Sequence, residues 1–123
     1  MLKQVLVAEE DLHEHKLIHD ILGISIKDVK ITRALNAESF IDKAMKNETP
    51  WDLILYDFHF DERSGSNALL TILRAKPELA SDVVLLNGSA QEIKANPLFM
   101  NLPYILKPFS LDNFSEVVKR ISA

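Results

Sequence analysis

Cysteine is absent from this chain of 123 residues, and glycine is scarce, with only three residues. Without cysteine, the protein has no disulfide and no thiolate metal site. With so few glycines, it lacks the glycine-rich loop after a first strand that cradles phosphates in P-loop and dinucleotide-binding proteins. The loop after the first strand also lacks the run of glycine and serine residues that cradles phosphate, which argues against a flavodoxin-like carrier of a cofactor. These absences exclude several function classes before any motif is considered.

Long apolar runs are missing too, since no uninterrupted apolar stretch exceeds five residues. No segment is therefore expected to span a membrane, and because the N-terminus leads directly into a predicted strand, no signal peptide is expected. These features favour a cytoplasmic protein. The formal charge of −4 argues against direct nucleic-acid binding by this domain. The length, with 47% hydrophobic and 26% charged residues, predicts one globular domain over residues 1–123.

Four short apolar runs each stop at a polar residue. The polar residues that follow these runs are Glu9 and Glu10, Asp57, Asn87, and Lys107. Short apolar runs bounded by turn signals predict buried parallel strands. A further strand is predicted over residues 29–34. We therefore expect five strands, four of which deliver polar side chains at their carboxyl ends.

Helical spacing of apolar residues separates these strands. It predicts helices over residues 13–22 and 37–46, with Gly23 ending the first and Asn36 capping the second. A third helix is expected after Ser64 or Ser66, and a last one after Ser110. Residues 89–102 are predicted to form only one or two short helical turns, because Pro97 interrupts the fourth helix.

Strand–helix alternation with short connections predicts a doubly wound α/β fold, (βα)5, with helices on both faces of a parallel sheet. The expected strand order is 2-1-3-4-5, with a degenerate fourth helix. In that order the first and third strands are neighbours, and ligands bind where their carboxyl ends meet. Glu9, Glu10 and Asp57 are therefore predicted to lie at one edge of the sheet.

Carboxylates this close stay ionised together only if a cation neutralises them, and an incomplete set of oxygen ligands suits Mg²⁺. Lys107 can pair with a phosphoryl oxygen, and the amide of Asn87 can donate a hydrogen bond to one. Asp57 would then be the nucleophile that forms an aspartyl phosphate. The residues thus predict metal-dependent phosphoryl transfer.

The motifs ending at Glu10, Asp57 and Lys107-Pro108-Phe109 resemble those of response regulator receiver domains of two-component signalling, over nearly the whole chain. This resemblance implies the flavodoxin-like receiver fold, with a domain that catalyses its own phosphorylation and dephosphorylation instead of acting as a turnover enzyme. It implies a histidine kinase or phosphotransfer protein as phosphoryl donor. It also implies a downstream output domain or effector protein whose binding is switched.

The resemblance assigns a role to each site residue. Asp57 is implied to be the phosphoacceptor, Lys107 the phosphate-pairing lysine, and Asn87 and Tyr104 the switch positions. The implied Mg²⁺ ligands are Glu9, Glu10, Asp57 and the backbone carbonyl of His59.

Two departures from the family pattern leave a second interpretation open. Glu9 and Glu10 stand in place of the usual pair of aspartates, and Asn87 stands in place of threonine or serine. Together with the degenerate fourth helix, these changes are also typical of a pseudo-receiver, which keeps the fold and acts through protein interaction without phosphorylation.

Overall fold

The computed structural model describes residues 3–46, 50–60, 68–106 and 111–122. Its elements, in chain order, are β1 (Lys3–Ala8), α1 (Leu12–Ser25), β2 (Val29–Ala34), α2 (Ala37–Lys46), β3 (Leu53–Asp57), α3 (Ala68–Ala75), a 3-10 helix (Pro77–Asp82), β4 (Val83–Leu86), α4 (Ala90–Lys94), β5 (Tyr104–Ile105) and α5 (Leu111–Ser122). Within these described ranges, no helix is long and apolar enough to cross a membrane.

The five strands form one parallel sheet in the order β2-β1-β3-β4-β5. The predicted doubly wound α/β fold and its strand order are therefore confirmed. β1 and β3 are neighbours, with Ala8 in register with Tyr56. Because parallel strands end at the same edge of a sheet, the residues that follow these two partners are brought side by side.

Strand residues alternate between two hydrophobic cores, as the two-residue period of a strand requires. On one face, Leu6, Ile54 and Leu85 pack with residues of α2, α3 and α4. On the other face, Leu55 and Val84 pack with residues of α1 and α5. Because helices cover both faces, the central strands β3 and β4 are buried along their whole length, whereas the edge strand β2 carries Lys30, Thr32 and Arg33.

Helix α1 runs further than expected. Asp11 caps its first turn by accepting a hydrogen bond from the backbone N–H of Glu14 (3.1 Å), but the predicted stop at Gly23 is wrong. The helix continues to Ser25, and the N–H of Ile26 still donates to the carbonyl of Leu22. Burial of Leu22 and Ile26 against the sheet outweighs the weak helix propensity of a single glycine.

The predicted degenerate fourth helix is confirmed, since α4 spans five residues. Ser89 and Glu92 close a capping box at its start, and residues 95–102 continue as turns that bury Phe99. The predicted cap at Asn36 is confirmed by a hydrogen bond from the backbone N–H of Ser39 (2.8 Å). The proposed caps Ser64, Ser66 and Ser110 lie outside the described residues.

Candidate functional site

Two carboxyl groups come together at the carboxyl edge of the sheet. Glu9 follows the last residue of β1, and Asp57 ends β3 directly after Tyr56, the register partner of Ala8. Glu9 is 4% exposed and Asp57 is 6% exposed, whereas the other buried side chains in the described ranges are aliphatic or aromatic. The edge of the sheet where β1 and β3 end therefore holds a buried acidic pair, Glu9 and Asp57, which the sequence predicted to lie together.

The two oxygens of Glu9 have different surroundings. Oε1 accepts a hydrogen bond from the backbone N–H of Asp11 (3.0 Å). Oε2 is buried and has no hydrogen-bond donor among the described residues. The Glu9 carboxyl also lies within hydrogen-bonding reach of the Asp57 side chain, and two carboxyl groups can share a hydrogen bond only if one of them carries a proton. Burial, followed by this hydrogen bond and the charge of Asp57, raises the pKa of Glu9 to about 8.

Asp57 is held by the turn that follows it. The backbone N–H of His59 donates to Asp57 Oδ1 (2.8 Å), and the N–H of Phe60 donates to the Asp57 carbonyl (2.9 Å). The ring of Phe60 is buried against Tyr56 and Phe40, with centroid separations of 5.6 and 6.1 Å. This packing fixes the turn on the core and thereby fixes the orientation of the Asp57 carboxyl group.

Arg33 is a site residue that sequence reasoning missed. It lies on β2 in register with Val7, and its guanidinium donates to the carbonyls of Glu9 (3.2 Å) and Glu10 (2.9 Å). These two hydrogen bonds hold the backbone of the acidic segment while leaving its carboxyl groups unpaired by arginine. A basic residue near the end of the edge strand that neighbours β1 was the available signal.

The remaining predicted ligands are arranged less closely. Glu10 is exposed, and within the described part of the chain no cluster of three or more histidine, cysteine, aspartate or glutamate side chains could hold a metal ion. The oxygen donors that fit Mg²⁺ are therefore the Glu9–Asp57 pair, whose buried Oε2 has no donor and whose combined charge a cation would offset. Lys107 lies outside the described residues.

The two predicted switch positions lie beyond the acidic pair. Asn87 follows β4 with a positive φ of 65°, and its N–H donates to the carbonyl of Ile105 (2.9 Å). Asparagine tolerates this left-handed conformation better than most residues. Tyr104 is 38% exposed and lines an open groove of about 420 Å³ with residues of α5. The roles implied for both residues stay predictions.

The fold is that of response regulator receiver domains, which confirms the resemblance at the level of structure. The receiver domain of sensor histidine kinase PA1611 from Pseudomonas aeruginosa PAO1, solved with a magnesium ion coordinated in its active site cleft, superposes with a TM-score of 0.77 at 19% identity, over 99% of this chain and 98% of that one. A response regulator receiver domain protein from Clostridium thermocellum gives a TM-score of 0.77 at 18% identity, over 98% and 94% of the two chains.

A longer protein contains the same fold. NtrX from Brucella abortus superposes with a TM-score of 0.76 at 23% identity, and the match covers 99% of this chain but 27% of NtrX. No protein-family model matches the sequence, and no curated protein sequence matches it. At these identities the comparisons establish the fold, and the chemistry of the site has to be inferred from its own residues.

Proposed function

We propose that this chain is a phosphoacceptor domain of two-component signalling, in which Asp57 receives a phosphoryl group from a phosphohistidine. The observation that carries the proposal is the buried contact between the carboxyl groups of Glu9 and Asp57, at the edge of the sheet where β1 and β3 end. A buried acidic pair is costly for stability and serves no packing purpose, so perturbed groups of this kind are functional-site candidates.

The proposed nucleophile is Oδ2 of Asp57, because Oδ1 accepts the N–H of His59. Oδ2 forms a bond to phosphorus while the phosphorus–nitrogen bond of the donor breaks, and the electron pair of that bond stays on the imidazole nitrogen, which takes up a proton. The N–H of His59 holds the carboxyl group in one orientation. Lys107 and the Asn87 amide are proposed to bind the oxygens of the transferred group.

Mg²⁺ is the proposed cofactor, held by Glu9, Asp57 and the His59 carbonyl, with Glu10 as the predicted fourth ligand. When bound, it would supply positive charge that favours the ionised form of Glu9 and offsets the charge of the phosphoryl oxygens. The neighbour from Pseudomonas aeruginosa, which was solved with magnesium in its cleft, supports this assignment. The proposed partners are a histidine kinase or phosphotransfer protein as donor and an output domain or effector downstream.

Incubation with acetyl phosphate, followed by intact-mass spectrometry, tests the proposal. We expect one phosphoryl adduct with Mg²⁺ and none in EDTA. Asp57→Asn should abolish the adduct, whereas the matched exposed-site control Asp20→Asn on α1 should retain it. Fluorine NMR of beryllofluoride with Mg²⁺ provides a second readout that does not require turnover. No adduct and no bound beryllofluoride in the wild type, or an adduct that survives Asp57→Asn, would overturn the proposal and favour the phosphorylation-independent module.

A further inference from the structure

The turn after β3 is attached to the end of β4 as well as to its own strand. The N–H of Phe58 donates to the carbonyl of Leu86 at the end of β4 (2.8 Å). In the same turn, the N–H of His59 donates to Asp57 Oδ1. Any displacement of residues 58 and 59 therefore changes the hydrogen bond that orients the carboxyl group of Asp57.

Phe58 is held by packing. Its ring lies against Gly88, where an added Cβ would come within 2.9 Å of Phe58 Cγ, and it meets the ring of Phe99 edge-to-face at 6.2 Å. Phe99 is 7% exposed and belongs to the turns that follow α4. Side chains packed this closely transmit displacement instead of absorbing it.

His59 provides a second attachment. Its Nε2 lies 3.8 Å from Glu92 Oε2 on the first turn of α4. The other oxygen of Glu92 accepts the backbone N–H of Ser89 (3.2 Å), and Ser89 Oγ accepts the N–H of Glu92 (3.1 Å). The same carboxylate thus faces the imidazole of the Asp57 turn and closes the capping box of α4.

We propose that Phe99 and Glu92 are positioning residues for Asp57, acting through Phe58 and His59. By this route, a group bound at Asp57 changes the stability of residues 90–102. The inference rests on the proposed phosphoacceptor function. It follows from linkage: if the α4 region positions the turn that orients Asp57, then a group bound at Asp57 must change the stability of the α4 region by the same free energy. The route uses neither the Asn87 side chain nor Tyr104.

Hydrogen exchange measured by mass spectrometry, with and without Mg²⁺ and beryllofluoride, tests the route. In the wild type we expect the adduct to slow exchange in residues 90–102 relative to residues 12–25 of α1, which serve as an internal reference for global stability. The double variant Glu92→Gln/Phe99→Leu should lose most of this difference and bind beryllofluoride roughly five-fold more weakly. Glu78→Gln, an exposed change in the 3-10 helix, is the control and should behave as the wild type.

The choice of glutamine separates the two roles of Glu92. Glutamine can accept the N–H of Ser89 and so keeps the capping box, whereas Glu92→Ala loses both the cap and the charge facing His59. A response lost in Glu92→Ala but intact in Glu92→Gln would show that only the cap matters and would overturn the role of Glu92. An unchanged response in the double variant would overturn the route while leaving the phosphoacceptor function intact. Failure of the wild type to bind beryllofluoride would instead remove the phosphoacceptor function, and with it this inference.

Discussion

Replacing Glu9 with glutamine should remove a pH dependence of stability that the buried acidic pair creates. The pKa of Glu9 is raised from 4.5 to about 8, mainly by burial and then by the hydrogen bond with Asp57. Between these two values the folded state binds more protons than the unfolded state, so the free energy of unfolding falls as the pH rises through this window. At 1.36 kcal/mol per pKa unit, the loss approaches about 5 kcal/mol once the pH has passed through the whole window.

Glutamine resembles the protonated carboxyl group, since it can accept the N–H of Asp11 and donate to Asp57. In the absence of metal, we expect Glu9→Gln and the wild type to be about equally stable near the ordinary pKa of 4.5. At pH 8, the variant should be more stable than the wild type by on the order of 4 kcal/mol.

Urea unfolding at a series of pH values in EDTA measures this difference. Trp51 is the single tryptophan of the chain and is 7% exposed, so its fluorescence follows unfolding. Glu10→Gln is the matched control, because Glu10 is exposed and its replacement should leave the wild-type pH dependence intact. Parallel curves for the wild type and Glu9→Gln would refute the reasoning, since they would show that Glu9 titrates alike in the folded and unfolded states.

Three further predictions concern the supports of the site and the core. Arg33→Gln should lower the free energy of unfolding by about 1–3 kcal/mol, because the hydrogen bonds to the carbonyls of Glu9 and Glu10 are lost. Arg33→Lys should not restore this stability, because an ammonium group lacks the forked geometry of the guanidinium. Thermal unfolding of the two variants measures both effects. Asp11→Ala should cost about 1 kcal/mol by removing the cap of α1, Asp11→Ser should recover most of it, and equal losses in circular-dichroism melts would contradict the capping role. Phe40→Ala should cost about 3–5 kcal/mol in denaturant unfolding because the ring is fully buried, and a loss below about 1 kcal/mol would show that the aromatic cluster is not packed as described.

The sequence predicted the architecture because four of the five strands are apolar runs that end at a polar residue, and helical spacing separates them. Alternation of elements predicted a parallel sheet, and the expected order 2-1-3-4-5, a common one for doubly wound folds, placed Glu9 beside Asp57. That part of the site depends on chain topology, which apolar periodicity reports well. The fold and the carboxyl edge were therefore accessible from the sequence.

Features that depend on contacts between distant segments were not accessible. The dipeptide Glu9-Glu10 does not indicate which of its carboxyl groups is buried, because the alternation of the strand ends at Ala8. The hydrogen bonds from Arg33 join β2 to the segment after β1, which is distant in sequence. The continuation of α1 past Gly23 depends on burial of the helix against the sheet. In each case tertiary packing decided between local alternatives of similar energy.

The backbone at Asn87 has a consequence for attempts to give this protein a hydroxyl residue at that position. Threonine is branched at Cβ, and a left-handed conformation such as the φ of 65° seen here costs an L-residue with a side chain about 1–2 kcal/mol. Asn87→Thr would therefore strain the chain or make the β4–α4 connection re-form around it, shifting the N–H that binds the Ile105 carbonyl. The side chain and the backbone conformation at position 87 therefore have to change together. The single substitution Asn87→Thr would not reproduce the geometry of a receiver domain that carries threonine at this position.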